Sequence, residues 1–245
     1  MWSDMAFLKK ALMLAGKVAT GFMLIPIFFA LRKWKYLNKP LKIFLWYCIA
    51  TFLVSLIHQL FIWATGYFRA FFVPLLNKYH ITDTNFMGIL AYLTNFAFLG
   101  WYFYKVMPHE KIAKGILWLS SGLFIAAIID YLFIGDFRDY GVFTPAASAI
   151  FCFVLPLIHL RFLYRYDAKV PLSKNPYFWI DMGLLIPNLM GFFLHFTGNA
   201  IYGEDYSLFV KISIVKIILS IIGQVLLAIG FYYARYSKFL PLRAK

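Results

Sequence analysis

Two lysines, two histidines and an aspartate sit where the chain offers them almost no polar company. Lys17, His58, Gln59, Asp130, His195 and Lys216 all fall inside long apolar stretches. Ionisable groups in such surroundings are costly, and by default they mark a polar interior, a pathway or a ligand site. Further polar residues recur at helical spacing. Asp181, Asn188 and His195 are seven apart, and Ser213, Lys216, Ser220 and Gln224 stand at offsets of 0, 3, 7 and 11. Seven residues make nearly two helical turns, so each set forms one stripe. Lys17 and Lys216 against Asp130, with two titratable histidines, would make a neutral to positive pocket suited to an anionic or carboxylate-bearing ligand. The structural alternative is plain. Both lysines can snorkel to headgroups on their long stems, Asp130 can pair with one of them, and the histidines can tie neighbouring helices. His159 and Asp181 are weaker candidates. Asp181 falls in the second turn of its helix, where the dipole favours a carboxylate.

The elements that must position these groups are seven apolar stretches, at 11–31, 43–65, 84–106, 115–134, 141–163, 176–198 and 209–234. Each is near the roughly 20 residues that a membrane span requires. Charged residues are only 14% of the chain, against about 25% in a soluble domain, which excludes an ordinary soluble fold. Runs such as Leu24 to Leu31 lack the alternation of a membrane barrel strand, and backbone in lipid must be paired within its own segment. The expectation is therefore an all-α integral membrane protein, a seven-transmembrane-helix bundle forming one domain over 1–245. Pro26, Pro156 and Pro187 should bend or loosen spans 1, 5 and 6. Asn175 followed by Pro176 predicts a capped start for span 6. The 66–83 segment is expected to carry a short helix at the membrane surface. Traced from their outer ends, five spans bring Lys17, His58, Gln59, Asp130, His195 and Lys216 into the outer half.

The net charge of +14 invites a nucleic-acid partner, but its distribution argues against one. Most of the 24 basic residues gather in alternate loops: Arg32, Lys33, Lys35, Lys39 and Lys42; Lys105, Lys111 and Lys114; Arg161, Arg165, Lys169 and Lys174; Arg235, Lys238, Arg243 and Lys245. Asp4, Asp83, Asp136, Asp139, Glu204 and Asp205 lie on the other side. The positive-inside rule then sets the N-terminus outside and the C-terminus in the cytoplasm, as in a bacterial inner-membrane protein. The basic rim reads as a topology signal in contact with lipid headgroups. Aromatics at span ends suit the same level. Cys48 and Cys152 both fall within spans, so no disulfide framework is expected, and no Cys/His spacing for zinc exists.

Seven spans with a lysine in the last would suit a retinal protein, but the position one turn before that lysine is Ile212, and span 3 reads Phe86-Met87-Gly88-Ile89-Leu90-Ala91-Tyr92. Ser55 and His58 resemble, in residue type only, zinc-dependent membrane hydrolases related to ceramidases, yet His195 has no His partner four residues away. The segment Asn175-Pro176-Tyr177-Phe178-Trp179-Ile180-Asp181-Met182-Gly183-Leu184-Leu185 resembles a Pro-x-Phe-Trp-x-x-x-Gly-x-Leu segment of bacterial seven-span proteins, some of which serve as sensor modules beside histidine kinases. That resemblance implies a sensory role and assigns no site residue. The expected function is a receptor or sensor that binds a small anionic ligand in the outer half and signals to a cytoplasmic or membrane protein partner. A small-molecule or ion transporter is the first alternative, and an assembly subunit of a larger membrane complex the second. No nucleophile–base pair, metal cluster or phosphate loop is visible, so neither enzyme activity nor a cofactor is expected.

Overall fold

The computed structural model describes residues 2–78, 84–134, 143–165 and 170–239, without the side chains of 2–6, 9, 85, 134, 195, 196, 198–200, 202–204 and 239. His80, Asp83, Asp136, Asp139, Lys169, Arg243 and Lys245, the 135–140 loop, and the side chains of Asp4 and Glu204 therefore lie outside the described residues.

Among the described residues every regular element is helical. The first apolar stretch forms α1 (Trp2–Phe22) and α2 (Leu24–Arg32). Pro26 has no N–H to offer the Phe22 carbonyl, and the chain turns at Met23, whose N–H is shared between Ala19 and Thr20. Next come α3 (Lys39–Tyr67) and the short α4 (Arg69–Lys78), within the segment expected to carry one. A 3-10 turn at Asn85–Met87 leads into α5 (Gly88–Thr94), a π turn at Asn95–Leu99 and α6 (Gly100–Val106). Then follow α7 (Glu110–Ile129), which ends in a second π turn at Asp130–Ile134, and α8 (Phe143–Arg165). The chain closes with α9 (Pro176–Glu204), α10 (Tyr206–Tyr232) and a 3-10 segment at Ala234–Phe239.

Among the described residues six helices are long and apolar enough to cross a membrane: Lys10–Arg32, Lys39–Tyr67, Glu110–Phe133, Phe143–Arg165, Pro176–Leu194 and Tyr206–Tyr232. The 84–106 stretch is not among them; its helix runs from Gly88–Thr94 through a π turn at Asn95–Leu99 into Gly100–Val106. A π turn adds one residue to a helical turn and re-aims the side chains around it. α8 and α9 stay single helices through Pro156 and Pro187. The expected 199–208 loop shrinks to Asp205 alone. Its carboxylate accepts from the Leu208 N–H at 3.0 Å, so the cap lets α10 start as soon as α9 stops.

α1 and α2 pack between α3 and α10; α10 packs on α9, and α9 on α8. The 88–106 segment runs inside this arc and touches α3, α7 and α8. Contacts at the helix ends show which ends lie together. The Asn38 amide donates to the Tyr177 hydroxyl at 2.7 Å, His109 meets Phe162 edge-on, and Lys174 reaches over the Tyr236 ring. The starts of α3, α7 and α9 thus share one end with the finish of α8 and α10. This end carries the basic loops. Lys33, Lys42, Lys105, Lys238 and Arg235 sit there over Tyr232, Trp34, Tyr104, Tyr36 and Tyr236. Such cation–aromatic pairs hold a charge at the rim of an apolar surface.

Packing is uneven along the bundle. The buried residues of α3 all lie between Pro40 and Cys48, and those of the 88–106 segment between Phe96 and Val106. Ile180 and Gly183 of α9 meet Gly230, Gly223 and Leu227 of α10 in the same region, where Tyr177, Leu184 and Phe231 are also buried. The basic end is therefore the densely buried part of the bundle. Toward the opposite end α3 and α9 are mostly half-buried, while α8 stays buried at both ends through Thr144, Ser148 and His159. Outside, Trp118, Phe133 and Ile125 are largely exposed, as a lipid-facing surface requires.

Candidate functional site

The tightest helix crossing sets the frame. α9 and α10 run antiparallel with glycine facing glycine. A Cβ on Gly183 would stand 2.9 Å from the Gly223 carbonyl oxygen, and one on Gly223 would stand 2.7 Å from that of Gly183. Two turns on, Gly230 lies so close to α9 that a Cβ would be 3.0 Å from the Pro176 carbonyl. Small residues let two backbones approach where lipid supplies no hydrophobic drive. The rotation that presents Gly183 and Pro187 to α10 turns Asp181 toward α8.

There Asp181 meets His159. His159 Nδ1 and Asp181 Oδ2 share a hydrogen bond of 2.7 Å, and both residues are essentially inaccessible. Phe103 and Tyr177 stand edge-on to the imidazole. Asn175 caps α9 through the Tyr177 N–H at 2.9 Å, while Asn38 caps α3 through Leu41 and also holds the Tyr177 hydroxyl. The capped start expected at Asn175-Pro176 is present. Three buried polar atoms nearby make no hydrogen bond among the described residues: the Tyr102 hydroxyl, Asp181 Oδ1 and Asn175 Nδ2. Each such atom costs about 1–3 kcal/mol. Stability alone would favour apolar side chains here.

The candidates of the opposite half are not drawn into one pocket. Lys17 is exposed and lies with Phe7, Lys10 and Leu14 on the outer side of α1, so it does not point into the bundle as expected. Its long stem allows that at small cost. His58 is half-buried and bonds Thr84 at 2.8 Å, joining α3 to the start of the 84–106 segment. Gln59 reaches α1 at Gly16, where a Cβ would be 3.8 Å from its amide nitrogen. Asp130 accepts from the Thr144 hydroxyl, joining the second π turn to α8. Lys216 lays its stem along Gly191 of α9. The side chain of His195 lies outside the described residues. Each described group except Lys17 thus bridges neighbouring elements.

The two polar stripes do not bond to each other where their bonds are seen. The Asn188 amide donates to the Leu184 carbonyl at 2.7 Å and the Ser213 hydroxyl to the Phe209 carbonyl at 2.9 Å, each within its own helix. Ser220 and Gln224 are half-buried. Sequence reasoning overlooked a polar junction at mid-depth. The Tyr47 hydroxyl donates to Asn95 Oδ1 at 3.1 Å, and Asn95 Nδ2 donates to Ser148 Oγ at 3.0 Å. Asn95 opens the first π turn. An asparagine midway along an apolar stretch was the available signal. Among the described residues no three His, Cys, Asp or Glu side chains gather as a metal site would need.

The fold and its apolar surface define an all-helical membrane protein. No family model matches the chain, and neither a curated protein nor a solved structure does.

Proposed function

We propose that this is a seven-span membrane protein of receptor or sensor type, with its N-terminus outside and its C-terminus in the cytoplasm of a bacterial inner membrane. The seventh crossing is the 84–106 stretch. Its helical part, 88–106, is unbroken through the π turn and at 1.5 Å per residue extends about 28 Å, close to the roughly 30 Å of a hydrocarbon core. The basic end is the cytoplasmic one, by the positive-inside rule.

The uneven packing carries the functional reading. The basic end is sealed by Tyr102, Phe103, Tyr177 and Ile180 around the His159–Asp181 pair, while His58, Gln59, Asp130 and Lys216 stay half-buried at the other end. On α9 buried Leu184 and self-bonded Asn188 separate Asp181 from the far half. Polar groups half-accessible at one end and sealed off from the other suit detection of a small anionic ligand more than its passage. The response would be a helix shift read by a protein partner at the cytoplasmic face.

Cysteine accessibility tests this. Both native cysteines are buried, so a Cys48→Ala/Cys152→Ala background is the start. Gln59→Cys and Lys216→Cys should react with an impermeant thiol reagent from outside. Ile180→Cys and Asp181→Cys should stay unreactive from both faces. Labelling of the inner pair from the cytoplasm would favour the transporter instead.

A further inference from the structure

We propose a seat for an anionic phospholipid in the groove between α8 and α9 at the basic end. The groove has a volume of about 410 Å³ and is bounded by Leu160, Leu172, Phe178 and Met182 with Arg161, Tyr164 and Arg165. The two arginines are four residues apart on one helix, so their side chains emerge on the same face, one turn from each other. Both are exposed, as is Tyr164. No acid lines the groove among the described residues.

The chemistry divides by depth. Arg161 and Arg165 stand in the last turns of α8, where the basic loops and aromatic rings mark the headgroup level. Two guanidinium groups there offer forked donors to a phosphodiester. Below them Leu160, Phe178 and Met182 present an apolar trough to the bilayer, which fits the upper acyl chain. A free phosphate would use the arginines and leave the trough unused, whereas a phospholipid uses both. Basic pockets between membrane helices on the cytoplasmic side favour anionic headgroups on these grounds. The trough lies directly outside the buried pair, since Leu160 follows His159 and Met182 follows Asp181. The seat needs only that the chain lies in a bilayer, so it stands or falls apart from the sensor reading.

Native mass spectrometry of the full chain in detergent, titrated with phosphatidylglycerol or phosphatidylcholine, tests it. Wild type should retain phosphatidylglycerol in preference to phosphatidylcholine. Arg161→Gln/Arg165→Gln should bind it roughly ten- to thirty-fold more weakly, as expected for two headgroup contacts. Arg32→Gln/Lys111→Gln removes the same charge from exposed positions outside the groove and should bind as wild type does. Met182→Trp keeps both arginines but fills the trough, and should also lose the lipid. Equal loss in the control pair would reduce the effect to net charge. Equal retention of the two lipids, unaltered binding by Met182→Trp, or displacement by millimolar inorganic phosphate would each overturn the seat.

Discussion

Replacing Gly183 by alanine separates two opposed effects by magnitude. Alanine is the better helix former, by up to about 1 kcal/mol in a helix interior. Against this, the new methyl would stand 2.6 Å from Leu227 Cδ2 and 2.9 Å from the Gly223 carbonyl oxygen, where ordinary contact begins at 3.4 Å. Leu227 can rotate, but the carbonyl belongs to a helix. α9 and α10 must therefore part by roughly half an ångström in a region packed like a crystal. Overpacking of this kind costs about 1–3 kcal/mol, so after the propensity gain of about 1 kcal/mol the variant should be less stable by up to about 2 kcal/mol. The double variant Gly183→Ala/Gly223→Ala should cost less than the two singles summed, because one separation of the helices relieves both clashes. Gly115→Ala and Gly122→Ala are the controls. Both positions have open space around a Cβ and should be neutral or gain stability. Unfolding in mixed micelles, titrated with denaturing detergent, reads these differences. The close crossing is refuted if Gly183→Ala matches Gly122→Ala, or if the double variant is additive.

The buried pair should behave asymmetrically. His159→Leu alone should cost about 3–5 kcal/mol, and His159→Leu/Asp181→Leu should regain much of it, because a lone buried carboxylate is worse than none; the same unfolding titration decides. Asn95→Leu should cost about 1–3 kcal/mol by stranding the Tyr47 and Ser148 hydroxyls, and adding Tyr47→Phe should recover part of the loss. Asn38→Ala removes the α3 cap together with the bond to Tyr177, so it should cost more than Tyr177→Phe, by about 1 kcal/mol for the cap. For orientation, alkaline phosphatase fused after Lys238 should be inactive and the same enzyme inserted after Asn77 active; the reverse pattern would invert the topology.

Much of the frame was legible because lipid enforces it. Apolar length alone marks the segments that become α3, α7, α8, α9 and α10, and Asn175-Pro176 marks where α9 begins. The interior was less legible because it depends on rotation about each helix axis. Asp181, Asn188 and His195 share a stripe by period, yet Gly183 and Pro187 set the rotation of α9, and that turns Asp181 to α8 instead of α10. The polar groups of the far half were read as one pocket because depth along a span is visible in sequence and helix order is not. Lys17 faces outward, and Asp130 takes Thr144 as its partner. Neither π turn was foreseen, since an extra residue per turn leaves no compositional mark. Asn95 became intelligible only once Tyr47 and Ser148, from two other helices, were seen on its amide.

These devices divide α9 into two parts of unlike character. Its first nine residues are fixed four ways: by the Asn175 cap, by the Asn38–Tyr177 bond, by His159 on Asp181 and by the Gly183–Gly223 crossing. Pro187 comes just beyond, where the backbone lacks its bond to residue 183, and after it Leu189, Phe192 and Phe193 are exposed. A helix clamped at one end, with a proline at the border of the clamp, has two ways to answer a push at its free end. It bends at the proline, and the basic end feels nothing, or it pivots as a rod and strains the His159–Asp181 bond. On the proposed reading only the second carries a message to the basic end. The glycine at 183 favours it, because the carbonyl that proline leaves unpaired lies under α10, and close packing there resists bending. On the proposed reading the three atoms of Tyr102, Asp181 and Asn175 that find no partner among the described residues then have a physical role. They lower the cost of leaving the clamped arrangement, so that a modest shift of the free end is enough to break the pair.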